Sequence, residues 1–307
     1  MTDYLPLPGT PVEELDTPCI VVDLDAAESN IAKLQAAANE MGVDVRPHSK
    51  TNKSPYWVRK QIDAGAIGVC CAKVGEAEVM VEAGVPEVMI PNQVIGKRKI
   101  ARLVALARSA RIIVAVESSG NVDDLSSASM AAGAELGVII EINVGMDRCG
   151  VDGDGAVELA KQIDAAPGLR FDGLMGYEGH VVAERDYETR KTEAEKAMTI
   201  LTGAADQIRG VGIDVKLVSA AGTGTYNITG RVEGITELQC GSYIFMDGDY
   251  LEVFNDFEPA LSVLATVISR QKQDVAIVDM GLKSISMDRG LAEVISPASA
   301  SIVSHSE

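Results

Sequence analysis

The sequence predicts an α/β protein, a (β/α)8 TIM barrel with a C-terminal β domain. Three observations lead there. Short β-branched runs alternate with amphipathic helical patterns along most of the chain, the signature of repeated βα units. Eight such runs fall between residues 43 and 247, the number that closes a barrel of parallel strands. After Asp247 the helical patterns stop, and two strand-like runs follow with no long helix between them.

The first run, CIVVDLD (19–25), reads as a strand outside the eight. Asp25 is expected to cap a helix through about Met41, with Ile31, Leu34 and Ala38 on one face. The barrel strands are then VDVRPHSK (43–50), AIGVCCAK (66–73), EVMIPNQ (87–93), RIIVAVES (111–118), LGVIIEINVG (136–145), LRFDGLMGYEG (169–179), VKLVSAAGTG (215–224) and TELQCGSYIFMD (236–247). Helical patterns at 53–64, 75–83, 97–107, 122–132, 155–165 and 187–209 separate them, and the last gap has room for one turn. ALSVLATVISRQ and DVAIVDMG then read as strands. The expected division is a barrel over 26–249 and a β-rich unit from 1–25 plus 250–307. That unit is expected to be incomplete, because the text stops after ISPASASIVSHSE without a turn or helix end.

Lys+Arg is 27 and Asp+Glu 45, a formal charge of −18. A chain that tracks phosphates along a nucleic acid needs a basic face, so that class is set aside. No apolar run approaches the ~18 residues of a membrane span. The start, MTDYLPLPGTPVEEL, has neither the basic segment nor the apolar core of a secretory signal. The odd set of five cysteines (Cys19, Cys70, Cys71, Cys149, Cys240) has no zinc spacing and suits thiols packed in a reducing cytoplasm. Cys70 and Cys71 would face opposite sides of a strand.

Active sites of such barrels lie at the C-terminal ends of the strands, so each end is read for chemistry. Strand one ends in RPHSKT, which puts His48 and Lys50 on one face. A lysine there can form a Schiff base if its pKa falls; read alone, it could equally be a solvated strand-end residue. Strand five ends in GMDRCG, where Arg148 can donate to an anion or a ring nitrogen, or form a surface ion pair. Strand six ends in MGYEGH, offering Tyr177, Glu178 and His180. Two of the three histidines thus stand at the mouth. Strand seven ends in a small-residue turn, Gly222-Thr223-Gly224-Thr225, able to cradle a phosphate, and Gly241-Ser242-Tyr243 on strand eight could complete that cradle. Glu178 and His180 are the close pair that one strand face could offer a cation.

In that order, TPCIVVDLDAAESNI, RPHSKT, GVCCAKVGEAE, GMDRCGV, GYEGH, GTGT and ELQCGSYIFMDGDY resemble the D-threonine aldolase and D-serine dehydratase-like family. The likeness runs from about Asp16 to Asp288 and is greatest to D-threonine aldolase and 3-hydroxyaspartate aldolase members. It implies an alanine racemase type of fold with pyridoxal 5'-phosphate (PLP) at the barrel mouth. Lys50 would carry PLP, and Arg148 would face its pyridine nitrogen. Gly222, Thr223, Gly224, Gly241, Ser242 and Tyr243 would bind its phosphate, with Tyr177 close by and His48 and His180 among the catalytic groups. Asn52 and Glu178 stand where some members have histidine. The family also uses a divalent metal (manganese, magnesium or zinc) on a C-terminal His/Asp or His/Cys motif. No metal ligand is assigned within the chain, and those ligands are expected beyond Glu307, so that the chain as given would bind PLP with low, chelator-insensitive turnover.

The implied activity is a PLP-dependent lyase that cleaves D-configured β-hydroxy amino acids to glycine and an aldehyde. Dehydration of D-serine or 3-hydroxyaspartate, racemisation, and a non-catalytic PLP-binding protein are the alternatives. A cytoplasmic homodimer with a small D-amino acid substrate, and no nucleic acid or membrane partner, completes the expectation.

Overall fold

The computed structural model describes residues 5–288 and 290–306; the remaining residues of the expected second unit, 1–4, 289 and 307, lie outside them. The first strand, β1 (Cys19–Val22), ends where Asp23 donates its amide to Ala260 O, 2.8 Å away. Asp23, and not the expected Asp25, caps the helix α1 (Leu24–Met41): its Oδ1 accepts the Ala26 amide at 3.0 Å. Asp25 falls inside the first turn, where a carboxylate favours the positive end of the helix dipole. Gly42, with φ of 72°, turns the chain out of α1 in the left-handed conformation.

The barrel follows as β2 (Asp44–Val45), α2 (Pro55–Asp63), β3 (Val69–Cys70), α3 (Val74–Glu82), β4 (Glu87–Gln93), α4 (Lys97–Leu106), β5 (Arg111–Val116), α5 (Ser119–Ala132), β6 (Leu136–Glu141), α6 (Gly153–Ala165), β7 (Leu169–Met175), α7 (Tyr187–Gly210), β8 (Leu217–Ala220), the one-turn helix α8 (Tyr226–Thr229) and β9 (Glu237–Leu238). Each of the eight expected barrel strands is present, and the last gap holds its single turn. All pair in parallel in the order β2-β9-β8-β7-β6-β5-β4-β3. A bridge between His48 and Cys70 joins the two edges, supported by Ile67 N to Val45 O at 3.0 Å and Ser49 N to Cys70 O at 2.8 Å. The ring of strands is thereby closed.

Side chains alternate between barrel interior and helix layer, as strand geometry requires. Cys70, Met89, Ile113, Ala115, Ile139 and Met175 form an apolar interior layer, whereas Cys71 joins the larger core between strands and helices. Toward the end where β4 and β5 begin, the interior is charged. Arg46, 1% exposed, donates Nε and Nη2 to Glu237 at 3.0–3.1 Å, and its Nη2 lies 2.8 Å from Glu87. Ser219 Oγ adds a 2.6 Å bond to Glu237, and Arg111 and Arg170 both reach Asp172. Burial opposes the Arg46 charge, but Glu237 more than offsets this and holds the guanidinium protonated.

Beyond the barrel, β10 (Leu261–Leu264) pairs antiparallel with β1, and β11 (Val267–Lys272) with β12 (Val275–Val278). Among the described residues, no helix is long and apolar enough to cross a membrane.

Candidate active site

Past β2 the backbone stays bonded to its neighbours. His48 N donates to Cys240 O at 3.0 Å, and Ser49 Oγ donates to Cys70 O at 3.0 Å. Lys50 therefore emerges at a fixed point of the mouth. Its Nζ lies 5.7 Å from the centroid of the Tyr177 ring, which leaves the end of β7. The Arg148 guanidinium, from the loop after β6, also lies 5.7 Å from that centroid. Three strand ends thus bring two cations onto one aromatic ring, each within cation–π range.

The Lys50 side chain reaches solvent, yet the rim strips part of its hydration and Arg148 repels its charge. Both effects lower its pKa. Competitive acylation across pH should find Lys50 losing its proton below an ordinary lysine, and Arg148→Met should move that midpoint back up. A midpoint unmoved by Arg148→Met would mean that the two cations do not interact. Burial pushes the Tyr177 phenol up to about 12, helped by Glu178 and opposed by Arg148, so it stays protonated at neutral pH. His48 is 9% exposed, and its Nδ1 accepts the Lys50 amide at 3.3 Å, which leaves the proton of the neutral ring on Nε2. Burial, then Lys50 and Arg148, lower its pKa to about 3, so the ring is neutral at working pH.

The turn after β8 is packed against the same ring. A Cβ on Gly222 would lie 2.8 Å from Val182 Cγ1 and 3.2 Å from Tyr177 Cε2, and one on Gly224 would overlap Val182 O. Gly241 presses on His48, where a Cβ would meet the His48 carbonyl at 3.0 Å. Gly241-Ser242-Tyr243 lie beyond the eighth barrel strand, not on it. That strand, β9, ends at Leu238, and Ser242–Ile244 form a single 3-10 turn. The Tyr243 phenol is turned into the core, where it accepts from Gln61 Nε2 at 2.8 Å, so this residue offers only its main chain to the mouth. Its amide donates to Thr223 Oγ1 at 3.1 Å, which ties the two loops together. Among the described residues, the amides of Thr223, Gly224, Gly241 and Ser242 have no protein acceptor.

Glu178 and His180 do not converge. The chain leaves the strand at Met175, so alternation no longer governs their directions. Glu178 is buried against Thr225 and Thr229, whereas His180 is exposed beside Gly145. The loop that carries Arg148 is shaped by Asn143, whose Oδ1 accepts the Gly145 and Asp147 amides at 3.1 and 3.2 Å. An Asn before Gly-x-Asp carries the sequence signal for such a turn, unlike the acidic residues behind it.

Glu117, Glu141 and Cys149 place ligand-type atoms within 4.8 Å of one another. Cys149 is half-buried on this loop instead of packed in the core as expected. Glu141 accepts from Gln93 Nε2 at 2.6 Å, and Glu117 accepts the Gly150 amide at 2.5 Å. Arg148 Nη2 stands 3.9 Å from Glu141. One oxygen of each carboxylate is thus engaged and a guanidinium stands alongside, which opposes a divalent ion here.

Residues 22–249 match the model of the alanine racemase N-terminal domain, and residues 260–307 that of a putative serine dehydratase domain. D-threonine aldolase of Arthrobacter sp. is 41% identical over 288 residues, 92% of this chain and 76% of that protein. 3-Hydroxy-D-aspartate aldolase of Paracoccus denitrificans is 38% identical over 301 residues, 94% of this chain and 78% of that protein. The crystal structure of D-threonine aldolase from Filomicrobium marinum superposes with a TM-score of 0.91 at 41% identity, over 93% of this chain and 79% of that one.

Proposed function

We propose, for a chain that belongs to the alanine racemase N-terminal domain family and is a homologue of D-threonine aldolase, a PLP-dependent lyase. Its reaction splits the Cα–Cβ bond of a β-hydroxy-D-amino acid to give glycine and an aldehyde. The observation that carries this reading is the meeting of Lys50 and Arg148 on the Tyr177 ring at the barrel mouth.

The residues present fit PLP. The glycine turn leaves no room for side chains, that turn and the Gly241-Ser242 loop each offer two amides without acceptors, and an amine of lowered pKa lies near a cation. Lys50 would hold the aldehyde carbon, and Arg148 would stand at the pyridine nitrogen. The Thr223, Gly224, Gly241 and Ser242 amides would take the phosphate, while the Gly222 and Tyr243 amides, bonded to Thr225 Oγ1 and Thr223 Oγ1, would shape the seat. When bound, PLP supplies the electron sink for the pair released from Cα.

The chain's own groups have separate tasks. The lowered pKa of Lys50 leaves more of its amine neutral at working pH, the form that would bond to the aldehyde carbon of PLP with loss of water. Arg148 fixes a positive charge opposite it. His48 walls the site as a neutral ring, and Tyr177 remains a hydrogen-bond donor. His180, exposed on the rim, takes the proton of the β-hydroxyl as the carbonyl of the leaving aldehyde forms, and a proton drawn from solvent completes glycine at Cα. No step is assigned to a divalent metal.

The proposal extends to organisation. The barrel unit spans 26–249, and 1–25 with 250–307 form the second unit, supported by the pairing of β1 with β10. Exposed Val267, Ile268, Val275 and Ile277 support a homodimer, and the free cysteines a reducing cytoplasm. Incubation of the PLP-loaded protein with D-threonine and with 3-hydroxy-D-aspartate tests the chemistry. Glycine plus the matching aldehyde is the expected product. A keto acid with ammonia would transfer the reading to a dehydratase, and the L-isomer to a racemase.

A further inference from the structure

Glu178 is fully buried, and its hydrogen bonds go to the turn after β8 and the one-turn helix α8 that follows it. Its Oε1 accepts the hydroxyls of Thr225 at 2.7 Å and Thr229 at 2.6 Å, and its Oε2 accepts the Ala221 amide at 3.3 Å. The Thr225 hydroxyl in turn accepts the Gly222 amide at 3.2 Å. Hydroxyl bonds to a carboxylate at these distances are of the strong, charge-assisted kind.

The turn they hold has little freedom to hold itself. Ala221 has φ of 73°, a left-handed conformation that a residue with a Cβ keeps only where its surroundings enforce it. Gly222 and Gly224 are pressed against Tyr177 and Val182. The Thr223 hydroxyl receives the Tyr243 amide and so passes the restraint to the loop that carries Gly241 and Ser242. The turn therefore has two sides. Its inward donors satisfy Glu178, and the amides of Thr223 and Gly224 are left for an anion.

We propose that Glu178 is the positioning residue of the phosphate seat, fastening the turn after β8 to the end of β7 so that both loops present their amides together. This rests on reading that turn as the place of the PLP phosphate. A role in proton transfer is disfavoured by its complete burial, and a role as a metal ligand by the three donors already directed at its oxygens.

The test compares PLP with pyridoxal, which lacks the phosphate. Cofactor-stripped full chain, wild type and Glu178→Gln, is titrated with each by absorbance, and thermal unfolding is recorded for both proteins. Glutamine keeps the shape but turns an NH2 group toward one of the three donors. Wild type should bind PLP at least about tenfold tighter than pyridoxal (about 1.4 kcal/mol). Glu178→Gln should lose about tenfold in PLP affinity with pyridoxal affinity within about twofold. Equal losses for the two ligands, or unchanged PLP affinity, would overturn the role of Glu178. A wild type that does not distinguish PLP from pyridoxal would instead overturn the phosphate seat itself. If Glu178→Gln does not fold, Thr229→Val removes one donor and should show the same selective loss, several-fold smaller; a loss shared by pyridoxal overturns the role there too.

Discussion

Lys50→Ala is expected to reduce lyase turnover by about a thousandfold or more, within the range lost when a group that handles protons or bonds at the reacting centre is removed. The same change should abolish covalent attachment of PLP. In wild-type protein, borohydride reduction followed by peptide mapping should place a pyridoxyl group on the peptide containing Lys50. The expectation is specific because the backbone leading into Lys50 is held to neighbouring strands, at Cys240 through His48 and at Cys70 through Ser49. A neighbouring lysine cannot be swung into its place. Lys53 is the nearest in sequence, and its amide is tied back to Ser49 O with φ of 48°. A Lys50→Ala protein that still yields a borohydride-fixed adduct, or that retains a tenth of the activity, would refute the assignment.

Glu237→Ala should produce the largest loss of stability, about 3–5 kcal/mol, because it strips a buried guanidinium of its main partner. Arg46 would keep only Glu87, and Ser219 Oγ and Arg46 Nε would lose their acceptor. Denaturant unfolding monitored at Trp57, which is buried beside Phe245, reads the change. The double variant Arg46→Met with Glu237→Leu should recover most of the loss, since well-packed apolar groups can replace a buried pair without penalty. A Glu237→Ala protein within about 1 kcal/mol of wild type would show that Glu87 alone suffices.

How much of this was legible depended on the range of the interactions. The runs at 87–93, 111–118, 136–145 and 169–179 became strands over 87–93, 111–116, 136–141 and 169–175, each starting where expected, because continuous apolar segments buried on both faces mark themselves. β2, β3 and β9 shrank to two-residue ladders, although single bonds such as His48 N to Cys240 O and Cys71 N to Met89 O continue the pairing past their ends. CIVVDLD offers two aspartates, and only the distant carbonyl of Ala260 decides that Asp23 ends the strand and caps the helix. That Lys50, Tyr177 and Arg148 meet at the mouth was legible because barrels put their sites at strand ends. The embrace of Glu178 by Thr225 and Thr229, and the engagement of Glu141 with Gln93, were not, because nothing local to 178 or 141 signals partners so far along the chain.

The pairings that complete the structure join early residues to late ones. Arg46 meets Glu237 across 191 positions, and Cys19 finds Leu264. On a ribosome, β1 and β2 leave the exit tunnel long before the segments that will cover them have been made. At ~5–20 residues per second the wait is roughly 10 to 50 s, during which the edge of β1 is unpaired and Arg46 has Glu87 but not Glu237. Nascent chains arrested before residue 237 should therefore be degraded readily by added protease and held by chaperones, and resistance should arise abruptly once residue 264 has emerged. A sharp gain of resistance at a much shorter arrest length would mean that the half-made barrel protects itself without its closing strands.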